Sequence, residues 1–344
     1  MNKSNLKKFA IGARQELREK TKAQLKRLGM EEKKIEEGKD MGSQVEIYGK
    51  LYSKSSYQHL LVKYHSLGYE ELVEESAYLW FNRLTALAYM ELHDCFSEHM
   101  IFSKGSKGEP SILDEYFQVD FFQKMPLEKQ EELHQLRDQN TSDSLETLYS
   151  ILMEEKCEEL SKIMPFLFSK KGKYADILFP SGLLMQDSVL KKLQAILLEI
   201  QEEDQSIPVE ILGWLYQYYN SEKKDEVFAG LKKNQKVTKE NIPAATQLFT
   251  PHWIVKYMVE NSLGKLILEY IPNMESIKKD WNYYIETEIE SSSEKLSIEG
   301  IKILDPAMGF RVIIMTQANS QVNTRVLELL PKFKIKKMNR WCAV

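Results

Sequence analysis

Two short segments carry side chains whose type and spacing could do chemistry. The first is Ile303-Leu304-Asp305-Pro306-Ala307-Met308-Gly309. Ile298, Ile301, Ile303 and Leu304 suit a buried strand that opens after Gly300, and Pro306 closes it because proline cannot donate to a central ladder. Ligands of open α/β sheets bind beyond the carboxyl ends of strands. Asp305 at such an end can pair with a ligand ammonium group, and Gly309 permits close approach of backbone to ligand. The second segment is Gln247-Leu248-Phe249-Thr250-Pro251. Thr250 reads as an N-cap and Pro251 as a first helical residue. Ile254, Val255, Met258, Val259, Leu263, Leu266 and Ile267 then recur at helical spacing, which predicts a helix from Pro251 to about Glu269. Its amino end offers unpaired N–H groups and the positive end of the helix dipole, suited to a carboxylate such as that of a methionine moiety. Taken singly, the first segment also fits a plain strand-to-helix turn and the second an ordinary cap.

The elements that must position these segments are bounded by composition. With 344 residues the chain has room for two domains of ordinary size. A 43% apolar share with 28% charged residues is a globular balance. No apolar run approaches the roughly 20 residues that span a bilayer. Lys3, Lys7 and Lys8 precede no apolar stretch of the kind that makes a signal peptide, so a cytoplasmic protein without a membrane segment is expected. Cys95, Cys157 and Cys342 lie far apart without a CxxC or a nearby histidine pair, which predicts neither a metal site nor a disulfide framework. The net charge of -4 argues against a uniformly basic nucleic-acid module, so local charge matters more.

That local charge sits in three places. Residues 4–29 read as a long basic helix with Leu6, Phe9, Ala10, Ala13, Leu17, Leu25 and Leu28 as a loose apolar stripe, stopped by Gly29. Lys223, Lys224, Lys232, Lys233, Lys236 and Lys239 crowd a hydrophilic stretch from Asn220 to Asn241, which reads as a domain boundary. Lys332, Lys334, Lys336, Lys337 and Arg340 crowd the last residues. A lysine run fits a solvated face and also fits phosphate contacts. Between these, the stretch through Gly42 reads as a solvated turn or short helix, and residues 44–66 as helix. Glu70 to Phe96 is apolar almost all round and reads as a buried helix. Within it, Asn82 and Arg83 fit either a buried polar cluster bonding neighbouring loops or a nucleic-acid contact. Residues 126–163 read as polar helices. Ile177-Leu178-Phe179 ends at the turn Pro180-Ser181-Gly182. Helices then follow from about Asp187 to Glu202 and from Pro208 to Tyr219.

A Phe-x-Pro-type segment some fifty residues before an Asp-Pro-Ala-x-Gly strand end resembles the adenine-specific DNA methyltransferases whose segment for S-adenosylmethionine (SAM) comes first. Further blocks agree in order: Trp80-Phe81-Asn82-Arg83-Leu84, Leu178-Phe179-Pro180, Glu210 to Tyr219, and Ile242 to Pro251. Together with the basic start around Phe9-Ala10 and Ala13-Arg14, they resemble the PglX-like methyltransferases of type 1 BREX phage-defence systems over about residues 1–309. The resemblance implies a mainly α chain. A helical N-terminal domain, 1–240, precedes the opening fragment of a Rossmann-like α/β SAM-dependent methyltransferase domain, 241–309, made of one helix and the first strand. It implies Thr250, Pro251, Asp305, Pro306, Ala307 and Gly309 as SAM-binding residues. It also implies double-stranded DNA as a partner, other BREX proteins as further partners, and methyl transfer to adenine N6 of a flipped base in host DNA.

The resemblance has a limit. Family members follow the Asp-Pro-Ala-x-Gly strand with Ser-Gly and an apolar helix, and later with an Asn-Pro-Pro-Tyr motif that holds the flipped adenine. Here Phe310-Arg311 follows Gly309, and the chain contains no Pro-Pro dipeptide. No residue is therefore assigned to catalysis. Residues 310–344 are expected to be a tail foreign to the family, from truncation or a frameshift. The chain alone is then expected to be inactive and the 251–269 helix to expose apolar surface. The alternative is a non-enzymatic helical module that binds DNA or other defence proteins through its basic N-terminal helix and the lysines of 223–239.

Overall fold

The computed structural model describes residues 3–36, 38–104, 108–168, 174–204, 207–208, 210–238, 241–242, 250–270, 275–287, 302–303 and 334–335. The chain is mainly α, as the sequence implies. Its packing divides it into two compact units, Met1–Ile207 and Pro208–Val344. The boundaries at 240 and 309 rest on composition and resemblance, and the packing division falls earlier than either.

In the first unit, helix α1 (Lys3–Arg27) buries Leu6, Phe9, Ala10, Ala13, Leu17, Thr21 and Leu25, a spacing of three or four residues that makes one face. Gly29, at φ +69°, ends it. That face packs on helix α3 (Tyr69–Leu92), whose Leu72, Val73, Ala77, Trp80, Phe81, Leu84, Leu87 and Ala88 are all buried. Phe9 and Phe81 meet at 6.4 Å between ring centroids. Each such side chain contributes about 1.5–3 kcal/mol when fully buried.

Residues 30–53 are not turn and helix but short strands. Strand β1 (Met30–Glu31) pairs with β2 (Lys34–Ile35), and β3 (Lys39–Asp40), β4 (Gln44–Ile47) and β5 (Lys50–Ser53) form an antiparallel meander. Val45 and Ile47 are buried while Gln44 is exposed, a period of two. Tyr48 and Gly49, at φ 47° and 77°, form the two-residue loop with left-handed backbone that suits the twist of a hairpin. Helix α2 (Lys54–Leu67) starts only after this, capped by the Ser53 side chain.

Among the described residues six further α-helices complete the unit. They are α4 (Ile112–Glu115), α5 (Asp120–Gln123), α6 (Leu127–Gln139), α7 (Ser142–Ser161) and, after the single turn α8 (Tyr174–Ile177), α9 (Val189–Asp204). Thr141 caps α7 in a reciprocal box with Ser144. Ser188, one of the two expected caps of α9, accepts from the Lys191 N–H at 3.3 Å.

The second unit holds α10 (Glu210–Tyr219) and α11 (Ser221–Lys232), the latter in the stretch read as a hydrophilic boundary. A helical run from His252 to Tyr270 follows. Backbone at Lys302–Ile303 pairs in parallel with Lys334–Ile335, so a strand stands where Ile303 was expected to lie in one. Among the described residues no helix is long and apolar enough to cross a membrane.

Candidate functional site

The predicted 251–269 helix is three pieces. Helix α12 (His252–Val259) passes into a π-turn at Glu260–Gly264 and then into α13 (Lys265–Tyr270). The cap is Pro251, not Thr250: its φ of -55° suits proline's ring, but its ψ of 139° is extended, so the helix begins one residue later. The Pro251 carbonyl accepts from Ile254 N–H at 2.9 Å and from Val255 N–H at 3.2 Å. No side chain caps this end. The N–H groups of His252 and Trp253 lack helical acceptors by construction, which leaves them as donors for an anion.

Val255 and Ile267 are buried, whereas Trp253 (55% exposed), Tyr257 and Met258 face outward. The apolar exposure expected of this helix is therefore present. The π-turn has a definite use. Buried Glu260 accepts from the Tyr283 N–H at 2.7 Å. The Asn261 amide donates to the carbonyls of Tyr257 (2.8 Å) and Tyr283 (2.7 Å), and its oxygen accepts from the Ile285 N–H at 2.8 Å. Two side chains thus hold the Tyr283–Ile285 backbone as a neighbouring strand would. Gly264 lies against Trp281, where a Cβ would come within 2.6 Å of the indole ring. A glycine inside an apolar helical pattern was the one sequence signal for this contact. Nothing in the 3.6-residue period marks Glu260 or Asn261.

Of the six residues the resemblance implies for SAM, Thr250 and Pro251 stand at the amino end of α12, half-buried and exposed respectively. Asp305, Pro306, Ala307 and Gly309 lie outside the described residues. The described half fits a methionyl carboxylate in its uncapped N–H donors.

Two other blocks that resemble the methyltransferases, around Trp80 and around Phe179, are structural. Trp80 and Phe179, 99 residues apart in sequence, meet edge to face at 5.0 Å, and Tyr149 adds a second edge contact at 6.3 Å. Gln24 donates to the Phe179 carbonyl (2.8 Å) and Lys20 to that of Ser181 (2.6 Å). Glu146 accepts from the N–H groups of Gly182 (3.1 Å) and Leu184 (2.7 Å). Arg83 is buried, donates to the Leu167 carbonyl at 3.1 Å and lies 5.0 Å from the Trp80 ring. Of its two possible roles, the buried cluster is the one observed.

The basic helix α1 is likewise engaged. Arg14 forms a two-point ion pair with Glu74 (2.8 and 3.0 Å), Arg18 reaches Glu74 (2.6 Å) and Glu70 (2.9 Å), and Lys22 approaches Glu70. Glu16 accepts from the Val189 N–H at 2.7 Å and pairs with Lys192. Arg14, Arg18, Lys22 and Glu16, which look available in sequence, form a seam between α1, α3 and α9.

No family model matches the chain. Two curated proteins do, and both are adenine-specific methyltransferases by name. Over 329 residues the chain is 36% identical to the adenine-specific methyltransferase BrxX of Escherichia coli O9:H4 (strain HS), covering 90% of this chain and 26% of that one. Over 345 residues it is 31% identical to the adenine-specific methyltransferase PglX of Lacticaseibacillus casei (strain Zhang), covering 90% and 28%. Its class is thus that of a mainly α chain similar to part of such methyltransferases. More particularly it is PglX-like, and it spans about a quarter of the length of these relatives.

Proposed function

We propose that this chain is a cofactor-side segment of a SAM-dependent N6-adenine DNA methyltransferase that modifies host DNA in phage defence. The observation that carries the reading is the similarity to two adenine-specific methyltransferases along nine-tenths of the chain, which includes the Thr250-Pro251 helix start. In this reading the amino end of α12 receives the methionyl carboxylate, and Asp305 pairs with the methionyl ammonium group. Pro306, Ala307 and Gly309 supply a loop without bulk. SAM brings the methyl group. The chain's own residues bind and orient it. The domain division at 240 and 309, a cytoplasmic site of action and contacts with other BREX proteins belong to the same proposal.

The chain alone transfers no methyl group in this reading, because it contains no Asn-Pro-Pro-Tyr-type segment to hold a flipped adenine. The non-enzymatic alternative, argued from the basic α1 and the lysines of 223–239, keeps the exposed lysines of α1 but loses Arg14 and Arg18, which pair with Glu74 and Glu70. Calorimetry with SAM tests the proposal. Binding by the full chain, weakened about tenfold or roughly 1.4 kcal/mol by Asp305→Asn, is expected. Absence of binding in a chain that is folded by circular dichroism would remove the cofactor assignment.

A further inference from the structure

We infer that α11 and the turn that ends it, Ser221–Lys236, form a sequence-independent contact surface for the phosphate backbone of duplex DNA. Helix α11 buries none of its residues. Lys224, Phe228 and Leu231 follow one another at intervals of four and three and so share a face, with Lys232 at its edge. Glu222 and Glu226 fall on the other side of the helix, and Asp225 borders the Lys232 edge. Phe228 and Leu231 are exposed (43% and 40%), and the Lys224 ammonium lies 5.7 Å from the Phe228 ring. The carboxyl end is then folded back rigidly. The Gln235 N–H bonds to the Gly230 carbonyl (3.0 Å) and the Asn234 N–H to that of Leu231 (3.0 Å), with Asn234 left-handed at φ 59°. This closure sets Lys232, Lys233 and Lys236, all exposed, around one turn. Among the described residues no carboxylate pairs with Lys224, Lys232, Lys233 or Lys236.

Charge complementarity selects the partner. Lysines are point charges without the fork that reads bases, which suits phosphate contact rather than sequence reading. Lys224 and Lys232 are eight residues apart, roughly 12 Å along a helix axis, of the order of the major-groove width of B-DNA. A duplex presents phosphate lines at that separation, with room for Phe228 and Leu231 between them. The inference rests on the proposed function for its choice of DNA over an acidic protein.

The test uses the full chain, a random-sequence 30-base-pair duplex and fluorescence anisotropy between 50 and 200 mM salt. Wild type is expected to bind with a steep salt dependence. The triple variant Lys232→Gln, Lys233→Gln, Lys236→Gln is expected to lose about 2.7 from the log–log salt slope, three contacts at about 0.9 each. Arginine at the same three positions is expected to keep the slope. Lys7→Gln with Lys8→Gln, on the exposed side of α1, is a two-charge control and is expected to lower the slope by less than about 0.9 per charge removed. An unchanged slope in the folded glutamine variant overturns the surface and leaves the methyltransferase reading standing, since SAM binding is measured separately. Wild type that binds no duplex at 50 mM salt overturns the surface as well. So does a glutamine variant that loses binding to polyglutamate but not to DNA, which would assign the face to an acidic protein.

Discussion

Helices α1 and α11 are both dense in lysine and arginine, and the molecule uses them in opposite ways. In α1 Arg14, Arg18, Lys20 and Lys22 point at Glu70, Glu74 and Glu16, beside a face that buries Leu6 to Leu25. In α11 no residue is buried and the lysines at its end meet no acid among the described residues. The deciding difference is the presence of an apolar stripe in register with the charges. Where a stripe docks the helix, the flanking cations are carried against a neighbour and become part of its fixation. Where none exists, they remain in water and keep their long-range field.

This contrast can be broken at several points. The largest expected effect is on the packing beneath the α1 seam. Trp80→Ala removes the ring that seats Phe179 and Arg83 and should cost about 3–5 kcal/mol in urea denaturation. A loss below 1 kcal/mol would mean that this core does not hold α1 and α3 together. Next, Glu74→Ala leaves the buried Arg14 and the half-buried Arg18 without their shared acceptor, at a cost of about 2–3 kcal/mol, between the values for exposed and buried pairs. An effect near 0.5 kcal/mol would make α1 as solvated as α11. Third, Glu91 at the end of α3 accepts from the N–H groups of Ile101 (2.8 Å) and Phe102 (3.0 Å) and contacts His99. Glu91→Gln should cost about 1–2 kcal/mol at neutral pH, since one N–H then faces an amide donor. Burial raises the Glu91 carboxyl above its ordinary 4.5, against the lowering by those hydrogen bonds. The fold therefore favours its protonated form. The wild-type margin over Glu91→Gln should be largest below about pH 4.5 and narrow to those 1–2 kcal/mol as pH rises through the folded value. Denaturation at pH 4 and pH 7 measures it, and a margin that grows with pH would contradict the sign. The smallest stability effect should come from α11: glutamine at Lys232, Lys233 and Lys236 should shift stability by less than about 0.5 kcal/mol each. A larger loss would show those lysines to be structural.

The two helices also show what sequence reveals. The stripe of α1 and the all-round apolar character of α3 are legible, because burial leaves a 3.6-residue trace. The strands of residues 30–53 are not, because each is two to four residues long and only Val45 and Ile47 alternate inward. Their tight loop uses Tyr48-Gly49 rather than the usual Asn-Gly, so even its turn signal is muted. Helix α11 buries nothing and so left no stripe to read. At the candidate site, Thr250-Pro251 correctly marked a helix start, displaced by one residue. Glu260 and Asn261 escaped because their role depends on a change of helical pitch, which a fixed period cannot register.

That change of pitch has a consequence of its own. One surplus residue in a helical turn rotates everything beyond it by about 100°. The stretch from His252 to Tyr270 therefore behaves as two rods out of phase on a common axis, each presenting its own side to its surroundings. Deleting a single residue between Glu260 and Gly264 would bring the rods back into phase. Trp281 and the Tyr283–Ile285 backbone would then lose the surfaces that hold them, although every side chain of the outer half remained unaltered.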